Sequence, residues 1–386
     1  MSTEFDVAVI GGTIVDPGSA RREQCDVGIV GDRVAAVAPG LAASNARRTI
    51  DATGCLVTPG LIDFHVHSYP GVNMYGIDVD RPCLAGGVTT AIDAGSSGMV
   101  NFAGFRDGVA ASSTTRLLAF VCIAKHGVMH GPGELVDLEF ADVEGTARTI
   151  VEHPAIAVGV KVRLARHHVY DHGKEALALA LAAGEASGSP IMVHIGHTGL
   201  SIEAIADSRR AGDVITHCFT PLEPTFVDDR GRVLPAVVAA HERGVRFDVG
   251  HARRHLSFDI ARACIDAGVV PDFISTDLHL NARMGALVSD LPDVLTKFLA
   301  LGMSVDEVLA TCTSQAADAI GWGDRLGRLE VGREADVAVL EPVSGDLEVA
   351  DSTGARMPAP TALVARWTIR AGTPFRADDY RPVPGP

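Results

Sequence analysis

The 386 residues carry 33 Lys+Arg against 48 Asp+Glu, a formal charge of −15, with 47% hydrophobic and 21% charged residues. This balance excludes intrinsic disorder as the main state, and the acidic excess argues against nucleic acid as a partner. No apolar run approaches the ~20 residues of a membrane span, and the N-terminus lacks the basic-then-apolar pattern of a signal peptide. The 7 cysteines are odd in number and include no C-x-x-C pair, so a cytoplasmic chain with free thiols is expected rather than a disulfide framework.

The first 54 residues read as short strands at 7–10, 13–15, 27–30 and 34–37, broken by Gly and Pro turns; the spacing predicts a small antiparallel unit. Apolar, β-branched runs then recur at 56–67, 88–93, 117–123, 156–164, 190–195, 213–217, 245–249 and 273–276. Their near-continuous hydrophobicity is that of strands buried on both faces. Helical stretches at 174–187, 201–210, 234–243 and 258–267 separate several of them. Strands alternating with helices imply parallel βαβ units, and eight such units fit a (β/α)8 TIM barrel. A doubly wound open sheet is the alternative, but its glycine fingerprint after the first strand is missing. The run SVDE at 304–307 predicts a capping box for a helix reaching about residue 320. Strand-like runs return at 336–340 and 362–369. Neither end buries a good core alone, so both are expected to meet in one β-sandwich. The expected division is 1–54 and 326–386 for the sandwich and 55–325 for the barrel.

His65 and His67 end the first barrel run. Residues i and i+2 of a strand share a face, so two imidazoles converge there. Lys161 lies in an apolar strand, where a lysine is costly unless paired, modified or snorkelling to solvent. His194, His217 and Asp277 end the fifth, sixth and eighth runs. One such residue alone is usually packing; five strands presenting ligand-type residues at the same end point to a metal centre, on the face where barrel active sites lie. Arg163, two positions after Lys161, faces the same interior. It can clamp a substrate carboxylate or form an internal salt bridge. His197, Thr198, His251, His279, Tyr69 and the run GSSG at 95–98 are candidates for the pocket wall, each with a plain loop or turn role as the alternative. Residues 166–168 read as a solvated loop or part of a lid, and 127–133 as a mobile loop over the mouth. Cys218 turns away from His217 by strand alternation and reads as packing.

The run VTPGLIDFHVH at 57–67, followed in order by Lys161, His194, His217 and Asp277, and later by GRLEVGREADVAVL at 327–340, resembles the metal-dependent amidohydrolase superfamily over essentially the whole chain. The resemblance implies a binuclear centre. His65, His67 and Asp277 would hold a buried ion, His194 and His217 a more exposed one, and Lys161, carboxylated by carbon dioxide to a carbamate, would bridge both. Zn²⁺ is the expected metal, with Fe, Mn and Ni open. The implied chemistry is hydrolysis of an amide or ester by a metal-bridging hydroxide, with Asp277 as general base and then acid.

Within the superfamily, KVR at 161–163 with HIGHT at 194–198 resembles the deacetylase-type branch acting on N-acyl amino acids or O-acyl hydroxy acids, often in the D or R form. A small anionic acyl substrate is therefore expected, with Arg163, His197 and His279 against it, and a homo-oligomer by analogy. One alternative is a cyclic amide hydrolase of dihydroorotase or hydantoinase type; dihydroorotase-like members carry an arginine two residues after H-x-H, where this chain has SYPG at 68–71. The other is a catalytically silent scaffold, which retention of all six ligand-type residues disfavours.

Overall fold

A computed structural model describes residues 4–41, 43–128, 133–284 and 287–381. Seven parallel strands run in sequence order round a nearly closed barrel: Leu61–Val66, Val88–Gly98, Arg116–Cys122, Ala157–Arg163, Ile191–His194, Val214–Thr216 and Arg246–Asp248. The eighth run completes the circle without becoming a regular strand. It meets its neighbours through single parallel bridges, Asp248 to Phe273 and Val66 to Leu278, and through scattered backbone hydrogen bonds such as Val249 N to the Phe273 carbonyl at 3.0 Å. Asp277 has φ 48°, which takes the backbone out of the extended region and interrupts a ladder. The buried carboxylate of Asp63 replaces the missing bonds, accepting from Thr276 N at 3.0 Å and Thr276 Oγ1 at 2.5 Å.

Ile62, Phe64, Ile92, Leu118, Phe120, Met192, Val214 and Phe273 form one buried cluster. Residues drawn from strands all round the ring can meet only inside it, so this cluster is the barrel floor. Phe64 stacks on Phe273 with ring centroids 3.8 Å apart. Ala316, Ala317 and Leu326 belong to the same cluster. With one end plugged, polar side chains are left to the other.

The expected helices are present as Gly173–Ser187, Ile202–Asp207, Pro235–Glu242 and Phe258–Asp266. The capping box of Ser304 and Glu307 is formed. Its helix, however, ends at Thr311, and a second begins at Ser314. Thr313 leaves helical geometry with φ −132° and ψ −95°. The break frees the Cys312 carbonyl, which accepts from Ile62 N at 2.7 Å and so ties this segment to the first barrel strand.

The chain ends interleave. One sheet has the order Arg33–Ala38, Asp26–Val30, Phe5–Ile10, Ala46–Asp51; the other has the order Thr373–Arg376, Arg356–Arg370, Val337–Ala350, Leu56–Pro59, Thr13–Asp16, Arg21–Gln24. Val7, Val9, Ile14, Val27, Ile29, Val57, Val337, Val339 and Ile369 pack in a core of their own with members from both sheets. The run 56–67 is thus two strands: Leu56–Pro59 pairs with Val337–Ala350, and Leu61–Val66 enters the barrel. The runs at 336–340 and 362–369 belong to one long hairpin, whose outer half joins a largely exposed stretch, 341–348, to a return strand that buries Ala359 and Leu363.

Candidate metal centre and active site

The strand ends bring His65, His67, Lys161, His194, His217 and Asp277 to one side of the barrel, and four of the six line a cavity of about 260 Å³. Asp277 is the hub. Its Oδ1 lies 3.5 Å from His65 Nε2 and 3.4 Å from His67 Nε2, and its Oδ2 lies 4.0 Å from His217 Nε2. Among the described residues, Oδ1 is buried and receives no hydrogen bond. These separations are long for hydrogen bonds. They match donor atoms around a shared ion, because ligands ~2.1 Å from a tetrahedral centre sit about 3.4 Å from each other. The donor set therefore fits a divalent metal. His65, His217 and Asp277 have ligand atoms within 4.8 Å of one another, and so do His194, His217 and His255.

The other ring nitrogens are already engaged, which fixes where the lone pairs point. His65 Nδ1 meets Asp248 Oδ2 at 3.0 Å and Thr216 Oγ1 at 2.9 Å. His67 Nδ1 meets Ser96 Oγ at 3.0 Å, and the Ser96 backbone donates to Asp93. His217 Nδ1 donates to the Gly250 carbonyl at 2.8 Å, which leaves its Nε2 unprotonated, 2.8 Å from His194 Nδ1. Burial pushes His67, His194 and His217 well below the usual imidazole range. All three are neutral donors at neutral pH, the form a metal needs. Burial alone would raise Asp277; the imidazoles of His65, His279 and His67 outweigh it and hold the carboxyl well below its ordinary range.

Lys161 is fully buried, with Nζ 3.2 Å from Met192 Sδ. It does not snorkel. Burial lowers it to about 8. Gly95 makes room for it: at φ +93°, a Cβ there would stand 2.7 Å from Lys161 Cγ.

A model of the amidohydrolase family matches residues 56–365. The chain belongs to the amidohydrolase family. It is 32% identical over 370 residues to a deacetylase of Agrobacterium fabrum, covering 94% of this chain and 89% of that one. Among solved structures, an adenine deaminase superimposes with a TM-score of 0.89 at 29% identity, covering 97% of this chain and all of that one. A dihydroorotase gives 0.87, also at 29% identity, over 96% of this chain and 99% of that one. As an amidohydrolase with deacetylase-named relatives, the protein is a hydrolytic enzyme acting on C–N bonds.

The remaining residues divide. Arg163 lines the amidohydrolase cavity, but its guanidinium is bound bidentately by buried Glu134, at 2.6 Å through both Nε and Nη2. Of the two roles open from sequence, this is the internal salt bridge. His197 and His279 line the cavity; His279 Nδ1 donates to the Asp277 carbonyl at 2.7 Å. Tyr69 instead donates to the Asn101 carbonyl, and His251 contacts Lys297 Nζ at 2.8 Å. Residues 95–98 are no turn: they continue a strand to Gly98. Residues 166–168 begin a short helix, Arg166–Val169, with His168 buried. Within the expected loop 127–133, residues 129–132 lie outside the described residues. Cys218, like all 7 cysteines, is buried and unbridged.

Sequence reasoning missed Asp248 and His255, and it singled out Ser96 only as part of the run 95–98, not as the side-chain partner of His67. Asp248 ends the seventh strand, as the ligand-type residues end theirs; that position was its available signal. His255 stacks on His217 at 3.8 Å and 21°. Nearly parallel stacked rings cannot both aim in-plane lone pairs at one ion, so His255 belongs to the cavity wall rather than to the ligand set.

Proposed function

We propose that the chain is a binuclear metal-dependent hydrolase that removes the acyl group from a small, carboxylate-bearing amide or ester: a deacetylase or acylase. The observation that carries this reading is the convergence of three imidazoles on Asp277, whose buried Oδ1 accepts no hydrogen bond among the described residues. The similarity to the Agrobacterium fabrum deacetylase supports the acyl substrate. His65, His67 and Asp277 would hold the inner ion and His194 and His217 the outer one, with Zn²⁺ suited to this donor set. Lys161, as its carbamate, would bridge them. With Lys161 lowered to about 8, a share of neutral amine exists near neutral pH to take up carbon dioxide, and carboxylation turns a costly buried cation into an anionic oxygen donor.

Bound divalent ions supply an acidified water and a Lewis acid for the scissile carbonyl. Asp277, kept ionised, accepts the proton of the attacking water on a carboxylate oxygen and returns it to the departing nitrogen or oxygen. Asp248, Thr216 and Ser96 fix the orientation of His65 and His67. His197 and His279 would face the substrate, and Arg163, tied to Glu134, would shape the wall. In this division the barrel, 55–325, carries the chemistry and the terminal segments brace it, in a cytoplasm reducing enough to keep the thiols free.

Cyclic amide hydrolysis is the second reading, favoured by the superposition on a dihydroorotase. Turnover screens with N-acyl-D- and L-amino acids, acyl hydroxy acids and cyclic imides separate the two. Acyl release is expected; ring opening without acyl release would overturn the first reading.

A further inference from the structure

Among the described residues, the cavity is lined by a single carboxylate, Asp277, together with Arg163, Arg253 and Arg254. The chain as a whole carries −15, so this concentration of arginine at the mouth runs against the overall charge. The three guanidiniums are not equivalent. Arg163 is neutralised by Glu134 in a buried bidentate pair. Arg253 and Arg254 are exposed at the rim, and among the described residues neither forms an ion pair or a side-chain hydrogen bond. Burial lowers His167 and His255 at the cavity, and the nearby positive charge of Arg254 adds a smaller push in the same direction.

The loop that carries them is anchored. His251 N donates to the Ser275 carbonyl at 3.2 Å, Ala252 N to the Thr276 carbonyl at 2.8 Å, and His255 N to the His251 carbonyl at 3.1 Å. Ala252 takes φ 44°, a left-handed turn uncommon for a residue with a side chain. Leu256 is clasped by Ser352 of the terminal hairpin through two hydrogen bonds. Two unmatched guanidiniums are thus held on a fixed turn whose backbone is bonded to residues 275–276, next to the hub Asp277.

We propose that Arg253 and Arg254, on the loop after the seventh barrel strand, bind the substrate carboxylate and set the preference for anionic acyl substrates. This rests on the acyl-hydrolase reading above. Planar guanidiniums suit a carboxylate, and unpaired positive charge at the mouth of an acidic protein draws anions inward. Arg163 cannot take this task without abandoning a buried carboxylate.

The test uses the metal-loaded full chain, an N-acetyl amino acid and its primary amide, which share the scissile bond and differ in the carboxylate. Acetate release is followed for the wild type and for Arg253→Gln, Arg254→Gln and the double variant. Both side chains are exposed, so folding is expected to survive. In the double variant KM for the carboxylate rises about tenfold or more, while its kcat and both constants for the amide stay within about twofold. The carboxylate's kcat/KM in the wild type also falls as salt is added. Equal changes for acid and amide, or none, overturn the proposal. Calorimetry with the N-sulfonyl amino acid, which this chemistry does not cleave, separates the two claims. Arginine-dependent binding without any acetate release would sink the hydrolase reading and leave the arginine pair standing. Binding indifferent to the substitutions would sink the pair whatever the turnover.

Discussion

Asp277 combines three properties in one side chain: it is buried, ionised, and surrounded by imidazoles at separations that suit a shared cation. Asp277→Asn keeps the shape and an oxygen donor but removes the proton acceptor. Turnover is expected to fall about a hundred- to ten-thousandfold, with some metal still bound; undiminished turnover would remove Asp277 from the proton path. Arg163 tests a different rule. Its pair with Glu134 is buried, so Arg163→Met strands a carboxylate and costs about 3–5 kcal/mol of stability. Pairing it with Glu134→Gln recovers much of that loss in a thermal or urea melt. If the single and double variants melt alike, the pair is not the reason Arg163 is there. Residue type and order made the six ligand-type positions legible in the sequence. The partner of Arg163 was not, because Glu134 comes from a loop 29 positions away, and no periodicity encodes that approach.

At the scale of elements, the barrel depends on side chains where the backbone ladder fails. Asp63 holds residue 276 because the turn at Asp277 forbids a continuous eighth strand. Gly95 lets the second strand pass Lys161. Gly95→Ala would set a methyl group against the lysine stem at a backbone angle that disfavours it; a loss of about 1–3 kcal/mol is expected, together with reduced metal content measured on the folded fraction. Unchanged metal content would show that Lys161 has room to spare. Seven strands and the main helices could be read from hydrophobic runs because both faces of those strands are buried. The split of 56–67 could not, since Leu56–Pro59 and Leu61–Val66 are equally apolar and only their partners differ. The outer half of the terminal hairpin escaped for another reason: Pro342, Gly345, Pro358 and Pro360 interrupt its apolar run, although Val349, Ala359 and Leu363 are buried.

Across the whole molecule, the two chain ends do more than cover the barrel. Arg116 joins the third barrel strand to Glu334 and Asp336. The hairpin tip reaches the loop after the seventh strand, where Asp351 accepts from Phe258 N at 2.8 Å and Ser352 clasps Leu256. Asp351→Ala should therefore cost about 1–2 kcal/mol and raise KM for carboxylated substrates more than it lowers kcat. A pure stability loss with KM intact would confine the hairpin to scaffolding. On the proposed hydrolase reading, these strand ends hold divalent ions. Metal content of the purified chain, assayed with activity before and after chelation and in Lys161→Met, tests it most directly. About two divalent ions per chain are expected, lost together with activity on chelation and depleted in the lysine variant. A chain that hydrolyses its substrate while holding no divalent ion, or a Lys161→Met variant with its full complement of metal, would contradict the account.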